Sequence, residues 1–486
     1  MKLYVFNPDA DMALGNNEEN YMAPATIRRM AEDLALLPIW YAQPGSGVLA
    51  SSAYNADYLK QMQQLFRLDV HLVTEPELPD YADVRVMPWG WNPAIRKRML
   101  KGGVLEKNLP TPDALDKYRM KAARSNALAF RALFYFNKID YTCGDGCCLV
   151  EADGRMTDIS PDIVDRYKEG CVFKSLWSGS GKGLCWCRHG FTKNVSDWCS
   201  RALKENRGFV MEPIFDKVED FAMEFYSDGR GKLLFVGYSR FVTDDKGAYR
   251  GNILTSDEQV EEWIQQYVPF EAFVRIRNMM QKALETSYAT SYMGFLGVDM
   301  MVCRQKEGHP YAINPHVEIN LRMNMGIVSH VLSDHFIVPG GEGRFSIDCF
   351  PTHEALMERH EQDMQSYPLV VKDGRVVSGY LPLVPVTPKS RYRAFVCVTA
   401  AESLRFRFRN GLWLSRQNIF GQSTGGWGHR YIPCLVLVVP GYSPDWRYLR
   451  DRCPNRRLHT SEHSACHCPW RVASLVSNSR FPVFPP

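Results

Sequence analysis

The 486 residues exceed one ordinary domain and predict two to four subdomains around a sizeable core. Hydrophobic content of 45% and charged content of 23% are those of a globular chain. A formal net charge of +4 is too small at this length to argue for a nucleic-acid partner, and no nucleic-acid-binding fingerprint is present.

No run approaches the roughly 18 apolar residues of a membrane span. The N-terminal stretch MKLYVFNPDADMALG lacks the longer apolar segment of a secretory leader. The 14 cysteines are scattered, with Cys147-Cys148 the one adjacent pair, which predicts buried or free thiols in a reducing cytosol. The expectation is a cytoplasmic protein without a membrane or nucleic-acid partner.

In chain order, Lys2 to Asn7 reads as a strand, followed by a polar loop, PDADMALGNNEENYMAP. A helix over Thr26–Leu37, a strand PIWYA at 38–42, a helix around Asp57–Phe66 and a strand at 69–74 complete an α/β layer. It ends near Pro88–Pro93, and residues 1–109 are expected to form this first domain. Residues 113–136 read as helix. Strands at 147–151 and 171–177 flank a helix starting at Ser160-Pro161. A short strand at 208–215 precedes a hairpin whose turn is Asp228-Gly-Arg-Gly. Helix over Asp257–Tyr288 leads to a second hairpin, turning near Glu307-Gly308. No internal repeat is visible. From about Ser403 there are 12 Arg, no Lys and three acidic residues, and periodicity fades. A disordered or out-of-frame tail is expected over 403–486, and its His459, His463, Cys466, His467 and Cys468 match no standard zinc spacing.

Three constellations carry chemistry. The stretch FKSLWSGSGKGLCW fails as a P-loop, because Gly183 follows Lys182 where a hydroxyl residue is required, and Leu176 stands in place of the first glycine. It also fails the dinucleotide fingerprint. What remains is a strand carrying Lys174 and a Ser/Gly loop, which can be a hairpin turn or a cover for phosphates. Glu212 and Glu219 follow a strand and can each be a ribose ligand or a solvated acid. Asp299 lies in GVDMMV, and INPHVEINLRMN places Glu318, Asn320, Arg322 and Asn324 at alternate positions, one face of a strand. Paired across the hairpin, Asp299 and Glu318 offer oxygen ligands for Mg²⁺; a solvated face of mixed charge fits the same spacing. The NPDAD loop, with Asp11, Asn16 and Asn17, and the pair Trp89 and Trp91 could face a second substrate or serve as turn and packing residues.

Taken together and in this order, these elements resemble the ATP-grasp superfamily over roughly residues 110–345. The matching features are Lys174 with the Ser178–Gly183 loop, Glu212 with Glu219, and Asp299 with the Glu318-Ile-Asn320-Leu-Arg322 motif. Asp116-Lys117 suits an earlier nucleotide-contacting lysine. The 19-residue step from Asp299 to Glu318 is somewhat long for the family, and the tail resembles nothing known. The resemblance implies an α/β chain with α+β grasp lobes after an N-terminal α/β domain. The smaller lobe would span 110–205, the larger lobe with the metal site 206–345, and a C-terminal extension 346–402. It further implies ATP bound by Lys117, Lys174, Ser178, Ser180, Gly181, Glu212 and Glu219. Mg²⁺, with Mn²⁺ as an alternative, would sit on Asp299, Glu318 and Asn320. Lys174 and Arg322 would act in catalysis. The implied reaction is an ADP-forming ligation of a small-molecule carboxylate to an amine through an acylphosphate, in a chain compatible with a homodimer. A small-molecule kinase and an inactive nucleotide-binding protein are the alternatives.

Overall fold

Strands β1 (Lys2–Val5), β2 (Ser46–Leu49), β3 (Val70–Val73) and β4 (Arg85–Pro88) form a parallel layer in the order β3-β2-β1-β4. The computed structural model describes residues 1–143, 148–151, 170–178, 183–206, 208–244 and 247–399. The expected helix at Ser160-Pro161, residues Ser180, Gly181 and Lys182, and the tail over 403–486 with its His/Cys cluster lie outside the described residues.

Two expectations for this layer are corrected. The run PIWYA is not a strand: Leu37–Trp40 is a buried 3-10 turn. Pro38 supplies no ladder donor, and the Trp40 indole N–H donates to the Leu383 carbonyl at 2.6 Å. The second strand is instead SGVL, where Gly47 is required because a Cβ there would come within 2.8 Å of Val73. The polar loop after β1 contains a helix, α1 (Ala10–Asn16), since Ala10, Ala13 and Leu14 bury one face at helical spacing. Helices α2 (Ala25–Asp33), α3 (Asn55–Leu65) and α4 (Pro93–Lys101) follow. Asn92 caps α4 by accepting the Ile95 amide at 2.9 Å, with Pro93 in the first turn.

The predicted helix over 113–136 is two helices, α5 (Pro112–Ala122) and α6 (Asn126–Phe136). The Asn126 side-chain amide ends the first by donating to the carbonyls of Met120, Lys121 and Ala123. An antiparallel sheet follows, built from β5 (Cys148–Glu151), β6 (Cys171–Ser175), β7 (Leu184–Cys187) and β8 (Gly208–Pro213) in the order β5-β8-β6-β7. Helix α7 (Lys193–Asn206) packs on it through Val195, Cys199 and Leu203.

The third body is a sheet of nine strands among the described residues. Its order is β13 (Tyr311–Asn320), β12 (Met293–Arg304), β9 (Asp216–Asp228), β10 (Leu233–Thr243), β11 (Tyr249–Leu254), β14 (Glu342–Cys349), β17 (Tyr392–Thr399), β16 (Arg375–Pro382) and β15 (Val370–Lys372). Both predicted hairpins are present, and Asp228 Oδ1 closes the first turn by accepting the amides of Arg230 and Lys232. Residues expected as a separate extension after 345 instead continue this sheet through β14, β16 and β17. One face is covered by α8 (Asp257–Ile264) and α9 (Phe270–Tyr288), which bury Phe221, Met223 and Phe225. The other receives α10 (Met325–Val331), whose Ile327 and Val328 join the apolar cluster of the N-terminal layer. The α/β class expected from the sequence is therefore the one observed. No described helix is long and apolar enough to cross a membrane, and Cys143, Cys171, Cys185, Cys187, Cys199, Cys303, Cys349 and Cys397 are free thiols.

Candidate functional site

The β12–β13 hairpin pairs Asp299 with Glu318 and Gly297 with Asn320. On its other edge, β12 pairs Gly297 with Glu224 and Asp299 with Ala222 of β9. Residues directly opposite each other share a face, so Asp299, Glu318, Asn320 and Glu224 all lie on one side of the sheet. Burial, reinforced by the facing Glu318 and Glu224 carboxylates, pushes the Asp299 carboxyl well above its ordinary range. Such crowding of acids calls for a cation. Among the described residues, no group of three or more His, Cys, Asp or Glu side chains is arranged to hold a metal ion. Glu224 is turned to Asn324 Nδ2 at 2.8 Å and to the Ser239 hydroxyl at 2.9 Å. A cation would rest on two carboxylates and an amide oxygen, a donor set that fits Mg²⁺.

The alternating run does not continue past Asn320. The Arg322 amide donates back to the Asn320 carbonyl at 2.9 Å, and the chain turns into α10. Arg322 still reaches the site, donating to Asn320 Oδ1 at 2.7 Å and to Asp11 Oδ2 at 2.7 Å. Asn324 caps α10 by accepting the Ile327 amide. Asp11, read as a possible contact for a second substrate, is thus engaged by Arg322. Asn17, at the end of α1 with a left-handed backbone, donates to Asp116 at 3.2 Å.

Lys174 on β6 forms an ion pair with Glu212 on β8 at 2.7 Å, and Arg131 of α6 joins it at 3.2 Å. Glu212 is only 2% exposed. Burial alone would raise its pKa, but Arg131 and Lys174 outweigh it and bring the carboxyl down to about 2. Arg131 also donates to the His316 carbonyl at 3.0 and 2.8 Å, tying the smaller sheet to β13. Glu212 is therefore a structural counter-ion to Lys174, rather than the open acceptor a ribose would need.

Arg124, which carried no signal in the sequence, lies in the break between α5 and α6. It donates to the carbonyls of Ser175 and Ser178 at 2.9 Å, to the Ser178 hydroxyl, and to Glu318 Oε2 at 2.9 Å. One guanidinium thus joins the start of the Ser/Gly loop to the acid strand.

Glu219 does not join this group. It pairs in register with Val302, on the face that α8 and α9 cover, and contacts Tyr267 and Arg240 there. Asp220, one residue on, pairs with Met301 and lies on the Asp299 face, bonded to Thr243 and Lys217. Lys117 is exposed on α5, with no ion pair among the described residues. Trp89 is buried edge-on against Phe6 at 5.0 Å. With Trp91, Tyr118, Tyr292 and Phe295 it lines a cavity of about 370 Å³ beside β4.

No family model matches the sequence, and no curated protein does. Among solved structures, the chain is similar to a biotin carboxylase–β,γ-ATP complex from Campylobacter jejuni, at 12% identity and a TM-score of 0.43, over 82% of this chain and 87% of that one. It is similar to N5-carboxyaminoimidazole ribonucleotide synthetase from Thermus thermophilus, at 14% identity and a TM-score of 0.41, over 84% and 98%. A third is the biotin carboxylase domain dimer of Hydrogenobacter thermophilus 2-oxoglutarate carboxylase with MgADP, ADP and bicarbonate. There the identity is 12% and the TM-score 0.42, over 84% and 88%.

Proposed function

We propose that this chain is an ATP-grasp enzyme that joins a small-molecule carboxylate to an amine and releases ADP and phosphate. The observation that supports it most is the register pair Asp299–Glu318 with Asn320 beside it, reached by a guanidinium that also holds Ser178. The Asp299, Glu318 and Asn320 oxygens would hold Mg²⁺, or Mn²⁺, which when bound offsets charge on the phosphates. Lys174, paired with Glu212, would contact those phosphates, and Ser178 would stand beside them.

In this reading a substrate carboxylate oxygen attacks the γ-phosphorus, the bond to the β,γ-bridging oxygen breaks, and ADP leaves. The amine nitrogen then attacks the acyl carbon, loses its proton, and phosphate departs. Arg322 lies beside Asn320 and would stabilise the oxyanion of that second step, a contribution of a few kcal/mol for a preorganised donor. Asp11 fixes the orientation of Arg322.

That same Asp11 contact favours a second reading, phosphoryl transfer that stops at a phosphorylated product. A guanidinium already paired with a carboxylate has less charge to offer an oxyanion. The distinguishing experiment supplies candidate carboxylates and amines and follows ADP, AMP and phosphate. Phosphate release that requires both substrates supports the ligase. A stable phosphorylated product supports the kinase, and AMP as product would overturn both.

A further inference from the structure

The acid face carries a cation already, and it belongs to the protein. The Arg124 side chain is 4% exposed and that of Glu318 20%. A guanidinium this buried needs an anion, and a carboxylate facing Asp299 needs a cation. Each supplies what the other lacks, at 2.9 Å.

The rest of the Arg124 geometry is fixed independently of that pair. Its backbone amide donates to the Leu176 carbonyl at 2.9 Å, and its guanidinium to the Ser175 and Ser178 carbonyls and the Ser178 hydroxyl. These acceptors are uncharged groups at the end of β6. Among the described residues, Glu318, which lies on another sheet 194 positions away in sequence, is the one charged partner. A divalent ion on Glu318 would stand within a few ångströms of a full positive charge, so metal and guanidinium compete for the carboxylate.

We propose that Arg124 is a built-in stand-in for the metal at Glu318 and becomes a ligand of the nucleotide's terminal phosphate once the metal takes that carboxylate. The inference rests on the metal reading of Asp299 and Glu318. With the metal on Glu318, the Arg124 guanidinium would leave that carboxylate, and a nucleotide phosphate would provide its replacement anion. The neutral contacts to Ser175 and Ser178 keep Arg124 at the cleft meanwhile. A planar fork of donors suits a phosphate as well as it suits a carboxylate.

The test is Mn²⁺ binding to the full-length chain, read by loss of the free-ion electron paramagnetic resonance signal. It is run without nucleotide and then with ATP or ADP. Arg124→Met should bind Mn²⁺ about tenfold more tightly than the unsubstituted protein when no nucleotide is present. It should also lose most of its preference for ATP over ADP. Arg124→Lys, which keeps a charge but not the fork, should fall between them, and it decides the matter if Arg124→Met loses its near-UV circular dichroism. Unchanged Mn²⁺ affinity in both variants, with Glu318→Gln still weakening Mn²⁺ binding, would overturn the stand-in role and leave the metal reading intact. Mn²⁺ affinity indifferent to Glu318→Gln would overturn the metal reading and this inference with it.

Discussion

Asp299 and Glu318 face each other as a register pair across the β12–β13 hairpin, and the second of them is held by Arg124. Two carboxylates on adjacent strands repel unless a cation lies between or beside them, and the Asp299 carboxyl is pushed up first by burial and then by that repulsion. Glu318→Gln and Asp299→Asn should each lower nucleotide-dependent phosphate release roughly 100-fold or more. Asp299→Asn should not lower the melting temperature, because it removes like-charge crowding, whereas Glu318→Gln leaves the buried Arg124 guanidinium without its carboxylate and should lower it. Turnover equal to the unsubstituted protein in both variants would dismiss the pair as the metal site.

Lys174 and Glu212 form a buried pair, so removing one partner leaves the other uncompensated. Lys174→Met should cost about 3 kcal/mol in denaturant unfolding, the low end for such a break because Arg131 still faces Glu212. It should also raise the KM for ATP. Lys174→Arg, which keeps a charge beside Glu212, should retain stability while still raising KM, which separates the structural role from the nucleotide role.

The acids at 219 and 220 lie on opposite faces of β9. If a nucleotide hydroxyl is held from this strand, Asp220→Ala should weaken ATP binding about tenfold. Glu219→Ala should leave it nearly unchanged, since Glu219 faces Tyr267 and Arg240. Titration calorimetry with ATP measures both, and the reverse ranking would restore Glu219 to the site.

Glu224 gives a pH signature. Burial raises its pKa to about 7, against the lowering effect of its bonds from Asn324 and Ser239. A carboxyl whose folded pKa exceeds its unfolded value contributes stability fully below the unfolded pKa, near 4.5, and loses it as pH rises through about 7. Metal-free protein should therefore lose up to about 3 kcal/mol between pH 4.5 and 8 from this group. Glu224→Gln should flatten that slope, which urea unfolding at several pH values would show. An unchanged slope would rule out Glu224 as its origin.

Local order was legible where local chemistry sets it. The Asp228 turn, the β12–β13 hairpin and the strand bearing Lys174 follow from period-two patterning and turn residues over short spans. The reading failed where a distant contact decided the outcome. PIWYA has strand composition, yet Trp40 is fixed by a carbonyl 343 positions away. The alternation through Arg322 and Asn324 was real in sequence but was cut by a turn into α10 that the pattern does not mark.

By itself, the sequence determined the pieces of the candidate site: an acid pair on one hairpin, a lysine on a strand, and a loop of small residues after it. Only the tertiary structure decided how they are joined. Arg124 and Arg131, ordinary helix-region arginines in the sequence, became the links because folding brought them to Glu318 and Glu212. Register likewise placed Asp220 rather than Glu219 on the Asp299 face. The physical reason is range. Hydrophobic period and turn chemistry act over a few residues, whereas a buried charge takes whichever opposite charge the completed fold brings within reach.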